Sequence, residues 1–251
     1  MFGILITARC GSTRLTKKHL RKIDGKFVLS YLIERVLSEF KLELEGSKCE
    51  ISIVTGNQKD NNELSWFDKE EFVNVFYGSD QNIPLRHYQC ASTNNYSYII
   101  SLDGDDILSS IIGMRAVQTK LNEGYDYCST EGLPFGMNVT GYSTEFLSSC
   151  LVGNQEKILE NGWGRIFPKE KRNIIRYESE PKPFRLSLDY PEDLEFFTQL
   201  IKLTGDYING DYKEFIETIK ENNLMTINGH LIGDYWQAFR EKEKLEILNG
   251  H

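Results

Sequence analysis

The sequence predicts a Rossmann-like α/β protein in which a mostly parallel central sheet lies between two layers of helices. Apolar runs of strand character alternate with segments whose apolar residues recur every three to four positions, and this βαβ rhythm is typical of parallel sheets. Hydrophobic residues make up 40% and charged residues 26% of the chain, the balance of a globular protein with a sizeable core. We expect one domain spanning residues 1–251.

Five strands and four helical segments are expected in the first half of the chain. Residues 2–7 form a continuous apolar run, as in a strand that is covered on both faces. Residues 28–40 carry apolar side chains at three-to-four spacing, which predicts an amphipathic helix. The remaining strands are expected at 50–55, 73–77, 98–102 and 125–128, and the remaining helical segments at 62–71, 85–92 and 108–121.

The second half is expected to be less regular before it becomes helical. Residues 132–177 are rich in Gly and Asn, and we expect part of them to form a small flap that binds substrate or makes a dimer surface. The helix that begins at Pro191 has proline in its first turn, where a missing N–H costs little. Strands are expected at 137–142 and 184–188, and helices at 145–151, 191–203, 212–221 and 231–248.

Composition and charge argue against several classes of protein. The formal net charge of −8 disfavours a nucleic-acid backbone or an anionic membrane as the main partner. No stretch approaches the roughly 18 consecutive apolar residues of a membrane span. The N-terminal apolar run lacks a preceding positive residue and a cleavage site, so the cytoplasm is the expected compartment. The five cysteines form no C-x-x-C pair, which favours reduced thiols over a zinc site.

A small concentration of basic residues follows the first strand. Ligands of parallel α/β sheets bind beyond the carboxyl ends of the strands, so this loop lies where chemistry is expected. Glycine allows close backbone approach to a phosphate, hydroxyl and backbone N–H groups donate to phosphate oxygens, and arginine can contact a phosphate through two nitrogens. The alternative is a solvated basic turn, and no Walker A motif is present. The candidate residues are Ala8, Arg9, Gly11, Ser12, Thr13, Arg14 and Lys18.

A cluster of acids follows the strand expected at 98–102. Asp103, Asp105 and Asp106 would repel one another there, and a nearby cation would relieve that repulsion. A few carboxylate oxygens suit Mg²⁺ when it is bound jointly with substrate phosphates. A solvated acidic turn is at least as good an interpretation of these residues alone.

The basic loop has a specific resemblance. Residues 8–18 (ARCGSTRLTKK), with IDGK at 23–26 and LIERV at 32–36, resemble the opening of the cytidylyltransferase family. That family includes CMP-Kdo synthetase, CMP-sialic acid synthetase and the spore-coat polysaccharide cytidylyltransferases. The family usually has Leu-Pro-Gly-Lys where this chain has LTKK. The resemblance implies that the loop wraps the triphosphate of CTP through Arg9, Gly11, Ser12, Arg14 and Lys18.

Two further stretches carry the same resemblance. Residues 185–194 (RLSLDYPEDL) resemble the family's Arg-Leu-x-x-Asp-x-Pro-Glu-Asp-Leu segment, and Gly104-Asp105 resembles its Gly-Asp element. The match implies Mg²⁺ (or Mn²⁺) held by Asp105 and Asp189. Asp103, which precedes the Gly-Asp pair, is then expected to bind at the junction of nucleotide and acceptor.

A third match lies after the strand expected at 73–77. Gly78 and Ser79, followed by Arg86, resemble the family's region that faces the nucleotide base. The resemblance implies contacts from these three residues to the base or ribose. An ordinary exposed helix residue is nearly as good an interpretation of Arg86.

The resemblance implies an enzyme that transfers CMP from CTP to a sugar-like or phosphorylated acceptor, with Arg14, Lys18 and Asp105 as catalytic residues. Surface polysaccharide biosynthesis and a homodimer are expected by the same analogy. One alternative is a nucleotidyltransferase that uses another nucleoside triphosphate with a sugar phosphate, and another is a nucleotide-binding relative without catalysis. Acceptor binding or a dimer surface is left open for Trp163, Arg165, Lys169, Arg172 and Arg176.

Overall fold

The central sheet has seven strands and confirms the predicted α/β class. The structure is a computed structural model that describes residues 1–178, 180 and 183–249. Its strands in chain order are β1 (Phe2–Thr7), β2 (Lys22–Ile23), β3 (Lys26–Phe27), β4 (Cys49–Thr55), β5 (Val73–Tyr77), β6 (Tyr98–Asp103), β7 (Tyr127–Glu131), β8 (Thr140–Ser143) and β9 (Asn173–Arg176).

The sheet is mostly parallel. Its strand order is β5-β4-β1-β6-β8-β7-β9, and the short strands β2 and β3 form a separate antiparallel pair. Strands β5, β4, β1 and β6 pair in parallel, β7 pairs in parallel with β9, and only β8 runs against its two neighbours. The carboxyl ends of β1 and β6 therefore lie side by side at one edge, which brings the basic loop next to the acidic cluster.

Helices cover the sheet and extend beyond it at the C-terminal end of the chain. The α-helices are α1 (Val28–Glu39), α2 (Lys41–Glu45), α3 (Gln58–Asn61), α4 (Ile83–Asn94), α5 (Ile111–Asn122), α6 (Thr144–Leu151), α7 (Pro191–Thr204), α8 (Tyr212–Glu221), α9 (Met225–Asn228) and α10 (Leu231–Asn249). Segments of 3-10 helix are Lys18–Leu20, Asn62–Lys69, Trp163–Ile166 and Lys169–Lys171. No helix within the described residues is both long and apolar enough to cross a bilayer.

The two faces of β1 show how the layers form. Ile4 and Ile6 are buried in one core cluster with side chains of α1 and α5, whereas Leu5 is buried on the opposite face with side chains of α4 and α6. Alternate residues of a strand point to opposite faces, so a strand that is apolar on both faces must be covered by two layers. Each fully buried side chain of this kind contributes about 1.5–3 kcal/mol relative to exposure.

A third core cluster joins the C-terminal helices to the acidic loop. Ile107 and Leu108 are fully buried in it with Leu188 and with aromatic side chains of α7 and α8. The amide of Leu188 also donates to the carbonyl of Asp105, 2.9 Å away. This packing brings Asp189 next to Asp105 although 84 positions separate them in the sequence.

Most elements lie where the sequence predicts them, and β1, β5 and α8 have the predicted bounds. The predicted strand at 184–188 is wrong: only Arg185 makes an isolated bridge, to Phe135. The backbone of 184–188 instead forms hydrogen bonds to Phe135 and Asp105. It is held there because the buried Arg185 binds the carboxylates of Asp189 and Asp193. The α5 helix begins three residues later than expected, where Ser110 caps its N-terminus.

The segment 132–177, expected to form a flap, divides into two parts. Strands β8 and β9 add to the central sheet, and α6 packs against α4. Residues 152–172 contain only 3-10 turns and lie between these strands in sequence. Strand β9 and the β2–β3 pair have no counterpart among the sequence predictions.

Candidate active site

A cavity of about 480 Å³ lies at the carboxyl ends of β1 and β6. Its walls come from the basic loop, the acidic cluster, the segment 160–164 and helix α10. The predicted site residues among its lining are Ala8, Arg9, Gly11, Ser12, Thr13, Arg14, Lys18, Arg86, Asp103, Asp105 and Asp189. The cavity therefore lies beyond the strand ends at which the sequence predicts ligand binding.

One lysine links the two acids that the resemblance assigns to a metal. Lys18 Nζ lies 2.5 Å from Asp105 Oδ2 and 3.0 Å from Asp189 Oδ1. Its side chain is only 11% exposed, so the three charges interact with little screening by water. One cationic group thus already bridges the two carboxylates at the floor of the cavity.

Asp189 is held by several donors besides Lys18. Arg14 Nη2 donates to its Oδ1 at 2.6 Å, and Arg185 Nη2 donates to its Oδ2 at 3.1 Å. Asp193 accepts from the backbone N–H of Asp189 at 2.8 Å and also binds Arg185 through both carboxylate oxygens. The Asp189 carboxylate is therefore fixed at its backbone and at both of its oxygens.

The charges of the site change the acidity of its members. Burial alone would raise the pKa of Asp189, but Lys18 and Arg14 outweigh it and hold that pKa below its ordinary value. Burial likewise opposes the charge of Lys18, and the two carboxylates still raise its pKa. Asp103 is exposed to the cavity but is surrounded by protein on its other sides. Desolvation and the charge of Asp105 raise its pKa to about 7. Desolvation and the charges of Asp105 and Asp103 also raise the pKa of Asp106.

The donor set fits a magnesium ion that shares its coordination with substrate. No group of three or more His, Cys, Asp or Glu side chains is placed to hold a metal ion within residues 1–178, 180 and 183–249. Asp105 and Asp189 offer two hard carboxylates, and Mg²⁺ commonly uses one or two carboxylates with waters and phosphate oxygens. Lys18 supplies in this arrangement the positive charge that a divalent ion would bring.

The basic loop leaves space for a ligand at its glycine. A Cβ at Gly11 would meet no protein atom within 4 Å, and its φ lies outside the left-handed region. Glycine at this position therefore leaves open space beside the backbone, and it is not required by a left-handed backbone conformation. Lys17 has φ 51°, so it is this residue that turns the chain into the 3-10 helix carrying Lys18.

Gly104 is required by a close approach of two chain segments. Its amide donates to the carbonyl of Thr7 at 2.8 Å, and a Cβ there would lie 2.9 Å from that oxygen. The same Cβ would lie 3.1 Å from the ring of His19, a buried residue that lines the cavity and whose Nδ1–H donates to the Arg9 carbonyl at 3.0 Å. The glycine of the Gly-Asp pair thus lets β6 place Asp105 directly beside the basic loop.

The third predicted group is only partly at the cavity. Gly78 and Ser79 are not lining residues, because the Gly78 backbone packs against Gln89, Arg86 and Phe76. Arg86 lines the cavity but is 1% exposed, and it donates to the carbonyls of Ser79 and Asp80 at 2.7 and 2.8 Å. It is therefore not the exposed helix residue of the alternative interpretation, since it holds the 79–80 loop against α4.

The irregular middle contributes Trp163 to the cavity, and its arginines bind protein groups. Arg165 donates to the carbonyls of Ile158 and Asn161 and to Glu246. Arg172 donates to the carbonyls of Gly164 and Phe167, whereas Arg176 is exposed. Trp163 is thus the member of this group with a surface toward the cavity.

Two sets of side chains near the cavity lie outside the predicted site residues. Buried His87 contacts Thr7 Oγ1 at 2.8 Å and the Tyr142 hydroxyl at 2.6 Å, and desolvation with the charge of Arg86 lowers its pKa to about 3. It positions the end of β1 as a neutral side chain. The second set lies on α10 and lines the cavity: Tyr235, Trp236, Phe239 and Lys242. Their three-to-four spacing was the available signal, but it predicted only a helix.

Fold and site together define an α/β nucleotide-binding protein with a basic loop that faces two carboxylates, the arrangement of a nucleotidyltransferase. A family model described as cytidylyltransferase matches residues 3–230. The chain therefore belongs to the cytidylyltransferase family and is a CTP-dependent nucleotidyltransferase.

Individual relatives and a solved structure agree with this assignment. An uncharacterized protein of Methanocaldococcus jannaschii is 27% identical over 252 residues, covering 96% of this chain and 98% of the relative. The spore coat polysaccharide biosynthesis protein SpsF of Bacillus subtilis is 24% identical over 232 residues, covering 87% of this chain and 93% of SpsF. The structure of a cytidylyltransferase from Leptospira borgpetersenii has a similar fold, with a TM-score of 0.71 at 22% identity, covering 90% of this chain and 97% of that one.

Proposed function

We propose that this protein transfers CMP from CTP to a sugar-acid or phosphorylated acceptor, with release of pyrophosphate and with magnesium or manganese as the cofactor. The observation that carries the proposal is the contact of Lys18 with both Asp105 and Asp189 opposite the basic loop. Two carboxylates and a set of phosphate-binding cations then face one reaction volume, as a metal–triphosphate complex requires.

The proposed metal site consists of Asp105 and Asp189. These two carboxylates would hold a magnesium ion, which would supply Lewis-acid charge compensation at the α-phosphoryl group. Arg14 and Arg185 stay on Asp189 and keep its carboxylate ionised and in place. Lys18 would then bind phosphate oxygens of CTP in place of the two carboxylates, because it lines the same cavity.

The chain's own cations assist departure of pyrophosphate. An oxygen of the acceptor attacks the α-phosphorus in line, and the bond to the β-phosphate oxygen breaks without a covalent enzyme intermediate. Arg14 and Lys18 stabilise the negative charge that gathers on the leaving β- and γ-phosphates. Ser12, Thr13 and the open backbone at Gly11 complete the proposed phosphate contacts.

The acceptor is proposed from chemistry and from one relative. The cavity is lined by Trp163 as well as by the cations of the basic loop, which suits a small acceptor that is both sugar-like and anionic. SpsF is described as a spore coat polysaccharide biosynthesis protein, which supports surface polysaccharide or glycoconjugate synthesis as the pathway here. Keto-sugar acids, sugar phosphates and other phosphorylated or carboxylated metabolites are the acceptors to assay.

Pyrophosphate release from four nucleoside triphosphates, each with this acceptor panel and Mg²⁺, tests the proposal. We expect CTP to be the productive nucleotide, and chelation of the metal by EDTA to stop release. Release that persists at full rate after removal of divalent ions would contradict the metal assignment. Turnover with another nucleotide in place of CTP would contradict the nucleotide assignment.

The Asp105→Ala variant is expected to keep the fold and to lose CMP transfer by about 100-fold or more, because a carboxylate that holds the metal at the α-phosphate is gone. Glu145→Gln, an exposed acid in the first turn of α6, is the matched control and is expected to retain wild-type activity. Circular dichroism establishes that both variants are folded. Full activity of the Asp105→Ala variant with saturating magnesium would remove Asp105 from the mechanism.

A further inference from the structure

Helix α10 forms one wall of the cavity although it lies beyond residues 3–230, the part of the chain that the family model matches. Four of its side chains line the cavity: Tyr235, Trp236, Phe239 and Lys242. Residues at this spacing share one face of a helix. The helix therefore presents three aromatic side chains and one cation to the space between the basic loop and the 160–164 segment.

A buried carboxylate attaches the far end of α10 to that segment. Glu246 is 8% exposed and accepts from the Asn161 amide at 2.9 Å and from Asn161 Nδ2 at 2.6 Å. Arg165 Nη2 also donates to it at 3.2 Å. Next to Asn161, Glu160 accepts from Arg9 of the basic loop. These contacts keep the Lys242 turn of α10 at the cavity mouth.

The N-terminal part of α10 contacts the basic loop through Tyr235. The ring of Tyr235 lies 5.2 Å from the Arg14 guanidinium carbon, and the ring of Tyr190 lies 5.0 Å from it on another side. Contacts of this kind orient a guanidinium, and Arg14 Nη1 also donates to the Tyr190 hydroxyl at 3.3 Å. Helix α10 thereby supports Arg14 and lies directly beside the proposed triphosphate site.

Lys242 is a cation without a carboxylate partner within the described part of the chain. Desolvation and the charges of Arg14 and Arg9 lower its pKa from the ordinary value. Three positive groups from two distant segments thus line one cavity, where Arg9 is paired with Glu160 and Arg14 with Asp189 while Lys242 has no such pair within the described residues. An anion placed among them would relieve their mutual repulsion.

We propose that Lys242 binds the β- or γ-phosphate of CTP and that α10 is the element that delivers it to the triphosphate. The proposal rests on the proposed function, since it assumes CTP in this cavity. The triphosphate is favoured over the acceptor as the anion because Lys242 lines the cavity together with Arg9 and Arg14, which both belong to the basic loop. Glu246 is a positioning residue, which acts through the placement of the helix.

Calorimetric titration of the full chain with CTP and with CMP, both in the presence of Mg²⁺, tests this assignment. Lys242→Met is expected to weaken CTP binding by about 10-fold, which corresponds to loss of one charge-assisted hydrogen bond at a partly exposed site. Binding of CMP is expected to stay unchanged, because CMP lacks the β- and γ-phosphates. Lys244→Met, an exposed lysine of the same helix that does not line the cavity, is expected to match the wild type for both ligands.

Other outcomes overturn the inference. Equal weakening of CTP and CMP by Lys242→Met would assign the lysine to the nucleoside or α-phosphate, and unchanged CTP binding with a raised acceptor KM would assign it to the acceptor. The Glu246→Ala variant provides a second measurement: it should weaken CTP binding but not CMP binding, and it should speed hydrogen exchange in residues 231–249. A wild-type chain that binds no CTP would overturn the proposed function itself, whereas CTP binding that Lys242→Met leaves intact would overturn this inference alone.

Discussion

Lys18 shows how single residues balance charge in this site. Its ammonium contacts Asp105 and Asp189 together, and desolvation with the charge of Asp105 raises the pKa of both Asp103 and Asp106. The floor of the cavity therefore contains more negative charge than its nearest lysine neutralises. Such an excess costs stability in the ligand-free protein and is the charge that a divalent ion would compensate.

Asp103 gives this excess a measurable pH dependence. Its pKa is about 7 in the folded protein against 3.8 as the ordinary value, so the folded state retains a proton that the unfolded chain has lost between these pH values. The corresponding stability is present below about pH 4 and is lost as the pH rises through about 7. Asp103→Asn cannot ionise and is expected to be more stable than the wild type at pH 8 by about 1 kcal/mol, discounted because the carboxyl faces the open cleft, or about 2–4 °C in Tm.

Thermal unfolding at pH 4 and pH 8 in buffer free of divalent ions checks that expectation. The advantage of Asp103→Asn should shrink toward zero at pH 4, where the wild-type carboxyl is also neutral. Asp24→Asn, an exposed carboxylate in the turn between β2 and β3, serves as the control and should behave alike at both pH values. A stabilisation that is the same at pH 4 and pH 8 would show that ionisation of Asp103 is not its cause.

The candidate site residues could be predicted from the sequence where a short motif identified them. The basic loop and Asp105 lie at the cavity as expected, because ends of parallel strands share one edge, and Asp189 lies beside them because Leu188 bonds to the Asp105 backbone. Gly78 and Ser79 matched a pattern but are packed against α4, so a short motif was insufficient there. Lys242 could not be predicted, because its place in the cavity depends on how α10 docks against a loop that ends 224 positions earlier, which no local periodicity determines.

The start of helix α7 is the element that holds Asp189 in place. Asp193 in its first turn accepts from the backbone N–H groups of Asp189 and Tyr190 and from two nitrogens of Arg185. Asn228 of α9 donates to the same carboxylate at 3.0 Å. A fully buried acid thus caps the helix, neutralises a fully buried arginine and fixes the backbone of Asp189.

Asp193→Ala is expected to lower the free energy of unfolding by about 3–5 kcal/mol, because it leaves the Arg185 guanidinium buried without its principal partner. Urea unfolding followed by circular dichroism measures the change. Glu192→Gln, the exposed neighbour in the same first turn, is the control and should stay within about 0.5 kcal/mol of the wild type. Equal small losses in the two variants would contradict the role given to the 185–193 ion pair.

Strands and helices were predicted best where the spacing of their apolar residues was most regular. β1, β5 and α8 have strong patterns and the predicted bounds, whereas the apolar residues at 184–188 imitate a strand. Those residues are apolar because they pack against the C-terminal helices in the third core cluster, not because they pair in a sheet. Strand β9 has a polar residue at each end and pairs only with β7 at the sheet edge, so its four residues gave no clear signal.

At the scale of the whole molecule, Arg35 joins the nucleotide-binding sheet to the C-terminal helices. It is fully buried on α1 and donates at 3.2 Å to the carbonyls of Ser109, Ile208 and Gly210, and also to that of Tyr207. Its guanidinium carbon lies 5.2 Å from the ring centre of Phe215 in α8. One side chain thus connects the helix layer, the end of the acidic loop and the segment that leads to α8, α9 and α10.

Replacing this connection should loosen the C-terminal part of the molecule as well as lower its overall stability. In Arg35→Met several buried carbonyls lose their donor, each at a cost of about 1–3 kcal/mol, so we expect a total loss of at least about 3 kcal/mol and a fall in Tm of about 6–12 °C. Arg115→Met is the matched control, because Arg115 binds Glu39 and Glu43 with its side chain 34% exposed and should cost only about 1 kcal/mol. Thermal unfolding measures both variants, and hydrogen exchange should become faster in residues 212–228 of Arg35→Met alone. If the two variants lost equal stability, or if exchange in residues 212–228 stayed at the wild-type rate, Arg35 would be one more helix contact rather than the link between the sheet and the C-terminal helices.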